Sequence, residues 1–217
     1  MTIPSLKNYK LPQPKDFPGN KASWLFEPHK AILLIHDMQD YFLQFFGNNS
    51  PLVNKLIENI HFLKLFCQEK EIPIIYTAQP KVQSEEERAL LNDIWGAGLN
   101  RSPHLQNINR DLAPDNDDIV IVKWRYSAFQ RSSLEKNIKE LGRDQLIICG
   151  VYGHIGCLIT AVDAFMRDIK PFLVGDAIAD FTLEDHLMAL KYVAEKSGMV
   201  MSTKEIISSV NFDKSDL

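Results

Sequence analysis

Five apolar residues, Ala31-Ile32-Leu33-Leu34-Ile35, run without a break into His36-Asp37. A run with no polar alternation predicts a strand covered on both faces, as in a parallel sheet flanked by helices. Leu52, Val53, Leu56, Ile57, Ile60 and Leu63 then recur at helical spacing. They predict a helix from Pro51 to about Gln68, with Ser50 as its cap and Pro51 in its first turn. A second apolar run, Pro73–Ala78, completes a strand–helix–strand unit. The third strand, Ile119–Val122, ends in Lys123-Trp124-Arg125-Tyr126. A helix over Ser133–Leu141, stopped by Gly142, leads to a fourth strand at Leu146–Val151. A helix to about Asp168, a fifth strand at Phe172–Asp176 and a helix at Leu183–Lys196 follow. A short sixth strand at Met199–Met201 and a helix near Lys204–Ser209 close the series. Alternating strands and helices predict an α/β fold: an open, mainly parallel, Rossmann-like six-stranded sheet with helices on both faces.

Three stretches fall outside this rhythm. Residues 1–30 carry prolines at 4, 12, 14, 18 and 28 and read as an extended arm wrapping the domain, equally able to reach a second subunit. Residues 79–118 are long and polar, with a short helix expected around Glu85–Leu91; a connection of this length usually serves as a lid or binding loop. The polar tail Asn211–Leu217 is expected to fray.

Composition narrows the possibilities. A chain of 217 residues fits one domain with a sizeable core, 1–217, and no second domain is expected within it. A formal charge of −4 without a dense Lys/Arg block argues against a nucleic-acid surface. No apolar run approaches the roughly 20 residues of a membrane helix, and the N-terminus lacks the apolar centre of a signal peptide, so a cytoplasmic setting is expected. Cys67, Cys149 and Cys157 form no CxxC pair and read as reduced thiols.

The chemistry gathers at strand ends. Asp37, Lys123 and the Gly-rich turn Gly150–Gly156 each follow a predicted strand. In a parallel sheet such ends share one edge, where open α/β folds hold their ligands. Alone, Asp37 reads equally well as a cap for the next turn. Together, an acid, an amine and a turn of backbone N–H groups able to hold an anion or an oxyanion make the parts of an active site.

Longer blocks carry a resemblance. They include Leu34-Ile35-His36-Asp37-Met38-Gln39-Asp40-Tyr41-Phe42, Tyr76-Thr77-Ala78-Gln79-Pro80 and Arg88-Ala89-Leu90-Leu91-Asn92-Asp93. Trp95-Gly96-Ala97-Gly98-Leu99, Val122-Lys123-Trp124-Arg125-Tyr126-Ser127-Ala128-Phe129 and Gly150-Val151-Tyr152-Gly153-His154-Ile155-Gly156-Cys157 belong with them, as does Asp163–Lys170. From the arm to about residue 207 the chain resembles the isochorismatases of catechol siderophore biosynthesis. The resemblance implies hydrolysis of isochorismate to pyruvate and 2,3-dihydro-2,3-dihydroxybenzoate, a hydrolase acting on an ether bond. Vinyl ether hydrolysis needs a general acid and no covalent nucleophile. Asp37 is the candidate acid, and its proton is expected to arrive with a substrate that brings two carboxylates into a closed site.

Gly156 sharpens the expectation. The wider superfamily includes amidohydrolases that combine an Asp, a Lys and a nucleophilic Cys six residues after the strand-ending Gly. Counted from Gly150, that position is Gly156, and Cys157 is expected to point into the core. Catalytic roles are therefore expected for Asp37, Lys123 and Gly156. The resemblance implies substrate binding by Gln79, Arg88, Trp95 and Tyr152, with Arg88 able to hold a carboxylate in a fork and Phe42 and Tyr126 walling the ring. It also implies a cis Val151–Tyr152 peptide. Read bare, Arg88 is a solvated charge, and Trp95, Phe42 and Tyr126 are core residues. His36 and His154 match no metal motif and read as hydrogen-bonded structural residues; neither metal nor cofactor is expected. Asp40 reads as a cap or support and Asp176 as structural.

The resemblance further implies a homodimer and docking to a siderophore synthetase or a separate aryl carrier protein. Two enzyme alternatives stand beside it: a hydrolase of 2-amino-2-deoxyisochorismate from phenazine-type pathways, and a Cys-dependent amidohydrolase, against which Gly156 argues. A third alternative makes the domain chiefly a docking platform.

Overall fold

The computed structural model describes residues 3–209, so the expectation for 211–217 lies outside the described residues. Six strands, β1 Ala31–His36, β2 Ile74–Ala78, β3 Ile119–Val122, β4 Gln145–Val151, β5 Lys170–Ala179 and β6 Met199–Met201, pair in the order β3-β2-β1-β4-β5-β6, every pair parallel. The order reverses beside β1: the chain builds outward to β3, then returns to lay β4 on β1's other side. That reversal opens a crevice beyond the ends of β1 and β4, where α/β sheets hold ligands.

Strand β1 shows why its apolar run has no alternation. Ala31, Leu33 and Ile35 enter one core with the Pro51–Glu69 helix, while Ile32 and Leu34 enter the other with Leu134, Ile138 and the Leu158–Phe165 helix. Helices therefore cover both faces, and the strand is fully buried. The Pro51–Glu69 helix starts as its sequence predicts: Ser50 Oγ accepts from the Val53 N–H at 3.1 Å, and Pro51 fills the first position. At the far edge β3 is thinly covered, leaving Val120 and Val122 half-exposed.

Two expectations change. The fifth strand runs on past Asp176 to Ala179. The Gly175-Asp176 pair reads as a turn, but a register shift between Ile148 and Gly150 lets the strand continue, and Asp176 accepts from the backbone and hydroxyl of Thr203 instead of ending it. The single helix expected around Glu85–Leu91 is two short ones, Glu85–Arg88 and Leu91–Trp95, broken at Ala89 with φ +45°.

The arm is extended with two 3-10 turns, and it is docked. Ile3, Leu6 and Leu11 are buried. Asn20 exchanges two hydrogen bonds with the Val200 backbone, at 2.9 and 2.7 Å. Tyr9 Oη lies 2.9 Å from His186 Nδ1 and accepts from the Asp180 N–H at 2.8 Å.

Candidate active site

β1 ends at His36, and the chain turns sharply at Asp37, which takes the left-handed conformation at φ +51°. Aspartate tolerates that region better than most residues. The turn aims the carboxyl back over the ends of β1, β2 and β3. Thr77, in β2, donates to Asp37 Oδ1 at 2.5 Å and accepts from the Asp37 N–H at 3.0 Å. Lys123, directly after β3, donates to Asp37 Oδ2 at 2.8 Å. Acid and amine are both 4% exposed. A pair this buried is held by mutual attraction, and deleting either partner costs about 3–5 kcal/mol because the other is left unpaired.

The β4 turn closes the other side. The Val151–Tyr152 peptide is cis, matching the resemblance. Gly150 adopts φ +112°, and a Cβ there would lie 2.1 Å from the His36 carbonyl oxygen, so only glycine fits. A Cβ on Gly156 would lie 2.0 Å from His36 Cε1. The imidazole thus stands where a side chain at 156 would begin. His36 is fully buried, donates from Nδ1 to the Val151 carbonyl at 2.8 Å, and is held neutral because burial pushes its pKa down to about 4. Cys157 faces the other way, into the core with Ile148 and Leu158, and burial pushes its thiol pKa up. This is no setting for a thiolate nucleophile.

Three N–H groups at the turn are already engaged within the fold. The Gly156 and Cys157 N–H groups both donate to the Tyr152 carbonyl, in π-helical geometry over Gly153–Cys157, and the His154 N–H donates to Asp180 at 2.5 Å. Their hydrogen-bonding capacity is spent inside the fold. His154 also meets Asp180 through its ring at 2.5 Å. Burial works against the charged ring, but the Asp180 carboxylate outweighs it and holds the His154 pKa above the usual histidine value. Gly153 makes room for this contact, since a Cβ there would lie 2.6 Å from Asp180 Oδ2.

One cavity unites the candidates. Asp37, Phe42, Gln79, Arg88, Trp95, Lys123, Tyr126, Tyr152 and Gly156 all line it. Arg88 is buried rather than solvated: Nε donates to the Gly96 carbonyl at 2.6 Å and Nη1 to Gln83 Oε1 at 2.9 Å. Burial pushes its pKa below the usual guanidinium value. The aromatic wall is a chain of edge-to-face rings: Phe42 on Tyr152 with centroids 5.9 Å apart, Tyr152 on Phe181 at 4.9 Å and Phe181 on Trp95 at 5.9 Å. Tyr152 is present as a ring, because its hydroxyl donates to the Phe42 carbonyl at 2.6 Å. Trp95 Nε1 donates to the Tyr126 hydroxyl at 2.9 Å.

Sequence reasoning missed several members. Thr77 left a signal, a lone hydroxyl near the end of an apolar strand. Gln39 spans the crevice: its side-chain amide bonds both backbone groups of Gln79, at 2.7 and 2.9 Å, and the Gln106 carbonyl at 2.7 Å. Phe181 and Asp180 follow the part of β5 that was not foreseen, and Ile3 reaches the cavity from the arm. Asp40 is peripheral, 3.5 Å from Asn109 Nδ2.

An all-parallel sheet with an acid–lysine pair at its strand-order reversal defines an α/β enzyme of hydrolase type. The isochorismatase domain model matches residues 31–205, and the chain belongs to the isochorismatase family. It is 60% identical over 207 residues to enterobactin synthase component B of Escherichia coli, covering 95% of this chain and 73% of that protein. It is 48% identical over 217 residues to the isochorismatase of Bacillus subtilis, covering 100% of this chain and 70% of that protein. It is 47% identical over 209 residues to the phenazine biosynthesis protein PhzD1 of Pseudomonas aeruginosa, covering 94% of this chain and 98% of that protein. A cysteine hydrolase from Pseudomonas syringae superposes with a TM-score of 0.80 at 21% identity, over 89% of this chain and 97% of that one, a likeness of fold.

Proposed function

We propose that this chain hydrolyses the vinyl ether of isochorismate, giving pyruvate and 2,3-dihydro-2,3-dihydroxybenzoate for siderophore synthesis. The observation that carries the reading is a buried Asp37–Lys123 pair facing a cavity that offers no nucleophile at position 156. Substrate binding brings two carboxylates into the closed site and with them a proton onto Asp37, which gives it to the terminal CH2 carbon of the enolpyruvyl group. The resulting oxocarbenium ion lies beside the carboxylate just formed, which stabilises it. Water adds to the cationic carbon and returns a proton to Asp37. The hemiketal then collapses to pyruvate and the ring alcohol, so one water is consumed and no covalent enzyme intermediate forms. Lys123 and Arg88 hold carboxylate charge, Gln79 offers its side-chain amide to substrate oxygens, and the ring wall excludes water. The reading needs neither metal nor cofactor.

A homodimer is part of the proposal. Leu90, Ile94, Ile159 and Met166 are exposed apolar side chains lining one groove beside the cavity mouth, which supports a covering copy of the chain. The setting proposed is the cytoplasm; no helix among the described residues is long and apolar enough to cross a membrane. A synthetase or separate carrier protein is the proposed docking partner.

The test is pyruvate release, coupled to lactate dehydrogenase, from isochorismate and 2-amino-2-deoxyisochorismate side by side. Faster turnover of isochorismate is expected. A strong preference for the amine would move the chain to phenazine-type chemistry, and no pyruvate from either would end the hydrolase reading. Cys157→Ala is expected to keep its turnover, because the thiol lies in the core away from the cavity. A folded but inactive Cys157→Ala protein would bring thiol chemistry back.

A further inference from the structure

The charges on the cavity wall do not balance. Four lining groups carry full charge: Asp37, Arg88, Lys123 and Arg125. Asp37 and Lys123 neutralise each other. Arg88 and Arg125 remain, and among the described residues neither has a carboxylate partner. The cavity therefore keeps two uncompensated positive charges in a chain of net charge −4. Isochorismate carries two carboxylates.

Whereas Arg88 is held at two nitrogens, Nε and Nη1, Arg125 is held at one. Its Nη1 donates to the Glu87 carbonyl at 2.9 Å and the Trp124 carbonyl at 2.6 Å. Nε and Nη2 have no protein partner among the described residues. Burial, and then the nearby Arg131, work against its charge, and among the described residues no salt bridge to a carboxylate offsets them. A guanidinium pinned on one side and bare on the other is prepared for a planar, two-oxygen ligand.

Resting on the isochorismatase reading, we propose that Arg125 is a substrate-binding residue that takes the ring carboxylate of isochorismate. Burial decides which carboxylate. The vinyl group must lie against Asp37, which is buried, and the enolpyruvyl carboxylate sits on the neighbouring carbon, within the reach of buried Lys123 and Arg88. The ring carboxylate is at the other end of the molecule, where half-buried Arg125 borders the mouth.

The two products divide the carboxylates between them, which makes the proposal testable. Equilibrium binding of each product is measured by calorimetry on the full chain, parent and Arg125→Gln. The variant should bind 2,3-dihydro-2,3-dihydroxybenzoate about tenfold more weakly and pyruvate as the parent does. KM for isochorismate should rise in parallel while kcat holds, and Arg125→Lys should recover part of the loss. Equal weakening of both products would mean that Arg125 only ties Glu87 in place, and would overturn the assignment. Loss confined to pyruvate, or no loss, would also overturn it. A parent chain that binds neither product and releases no pyruvate would overturn the hydrolase reading, and Arg125's role with it.

Discussion

Asp37→Asn should release pyruvate about 10³-fold more slowly than the parent, within the usual range for removing a positioned general acid. The change removes the transferable proton and the carboxylate charge that faces Lys123, so some of the pair's stabilisation is lost as well. An asparagine oxygen still accepts from Thr77 or Lys123, and the side-chain volume is preserved, so the fold should survive. Isochorismate binding should stay close to the parent's, because the carboxylate-holding groups are untouched. The coupled pyruvate assay gives the rate, and quenching of Trp95 fluorescence on titration gives binding. Full turnover by this variant would remove Asp37 from the mechanism. Glu in its place should recover little: the carboxyl would be carried past Thr77, and the φ of +51° tolerates the longer residue less well.

Gly156→Cys should damage the protein rather than arm it. The sequence alone suggests this as the place where related amidohydrolases would carry a nucleophilic thiol, yet the fully buried ring of His36 occupies the space where the new side chain would start. Either the imidazole leaves its bond to the Val151 carbonyl or the turn moves away from the acid. Overpacking a filled site typically costs about 1–3 kcal/mol, which for a chain of this size lowers Tm by roughly 2–12 °C. Pyruvate release should drop about 10²-fold, since an ångström of misplacement at a site can cost that much. Pairing the change with His36→Ala should restore part of the stability, so that the losses are not additive. Thermal melts of the four proteins measure the coupling. A single variant as stable and active as the parent would show that the ring does not constrain position 156.

These effects mark where the sequence was readable. The strands were legible because each is a short apolar run set off by polar residues or glycine, and a parallel sheet brings their ends together whatever their separation in sequence. Asp37, Lys123 and Gly150 could be placed from that alone. Arg88 could not, because it sits in a run of glutamates that reads as a solvated helix, and its burial depends on a loop folding back over it. The length of β5 was obscured for a similar reason. Asp176 marks a turn unless the distant Thr203 satisfies it, and Phe181 went unseen with the strand that carries it. The turn's internal hydrogen bonds were hidden too: glycines announce an open turn, but not that the His154, Gly156 and Cys157 N–H groups are already engaged.

The docked arm has a consequence for how the protein is made. Tyr9 leaves the ribosome early, yet its partners Asp180 and His186 come 171 and 177 residues later, and Asn20 waits for Val200. Ile3 shares the cavity wall with Tyr152 and Phe181, which come long after it in the chain. The arm thus waits on residues far along the chain, because contacts so distant in sequence form only after the intervening chain is organised. A nascent chain halted before β5 would hold Asp37 and Lys123 but lack Phe181 and the Asp180 anchor of the arm, so its pocket would be unfinished.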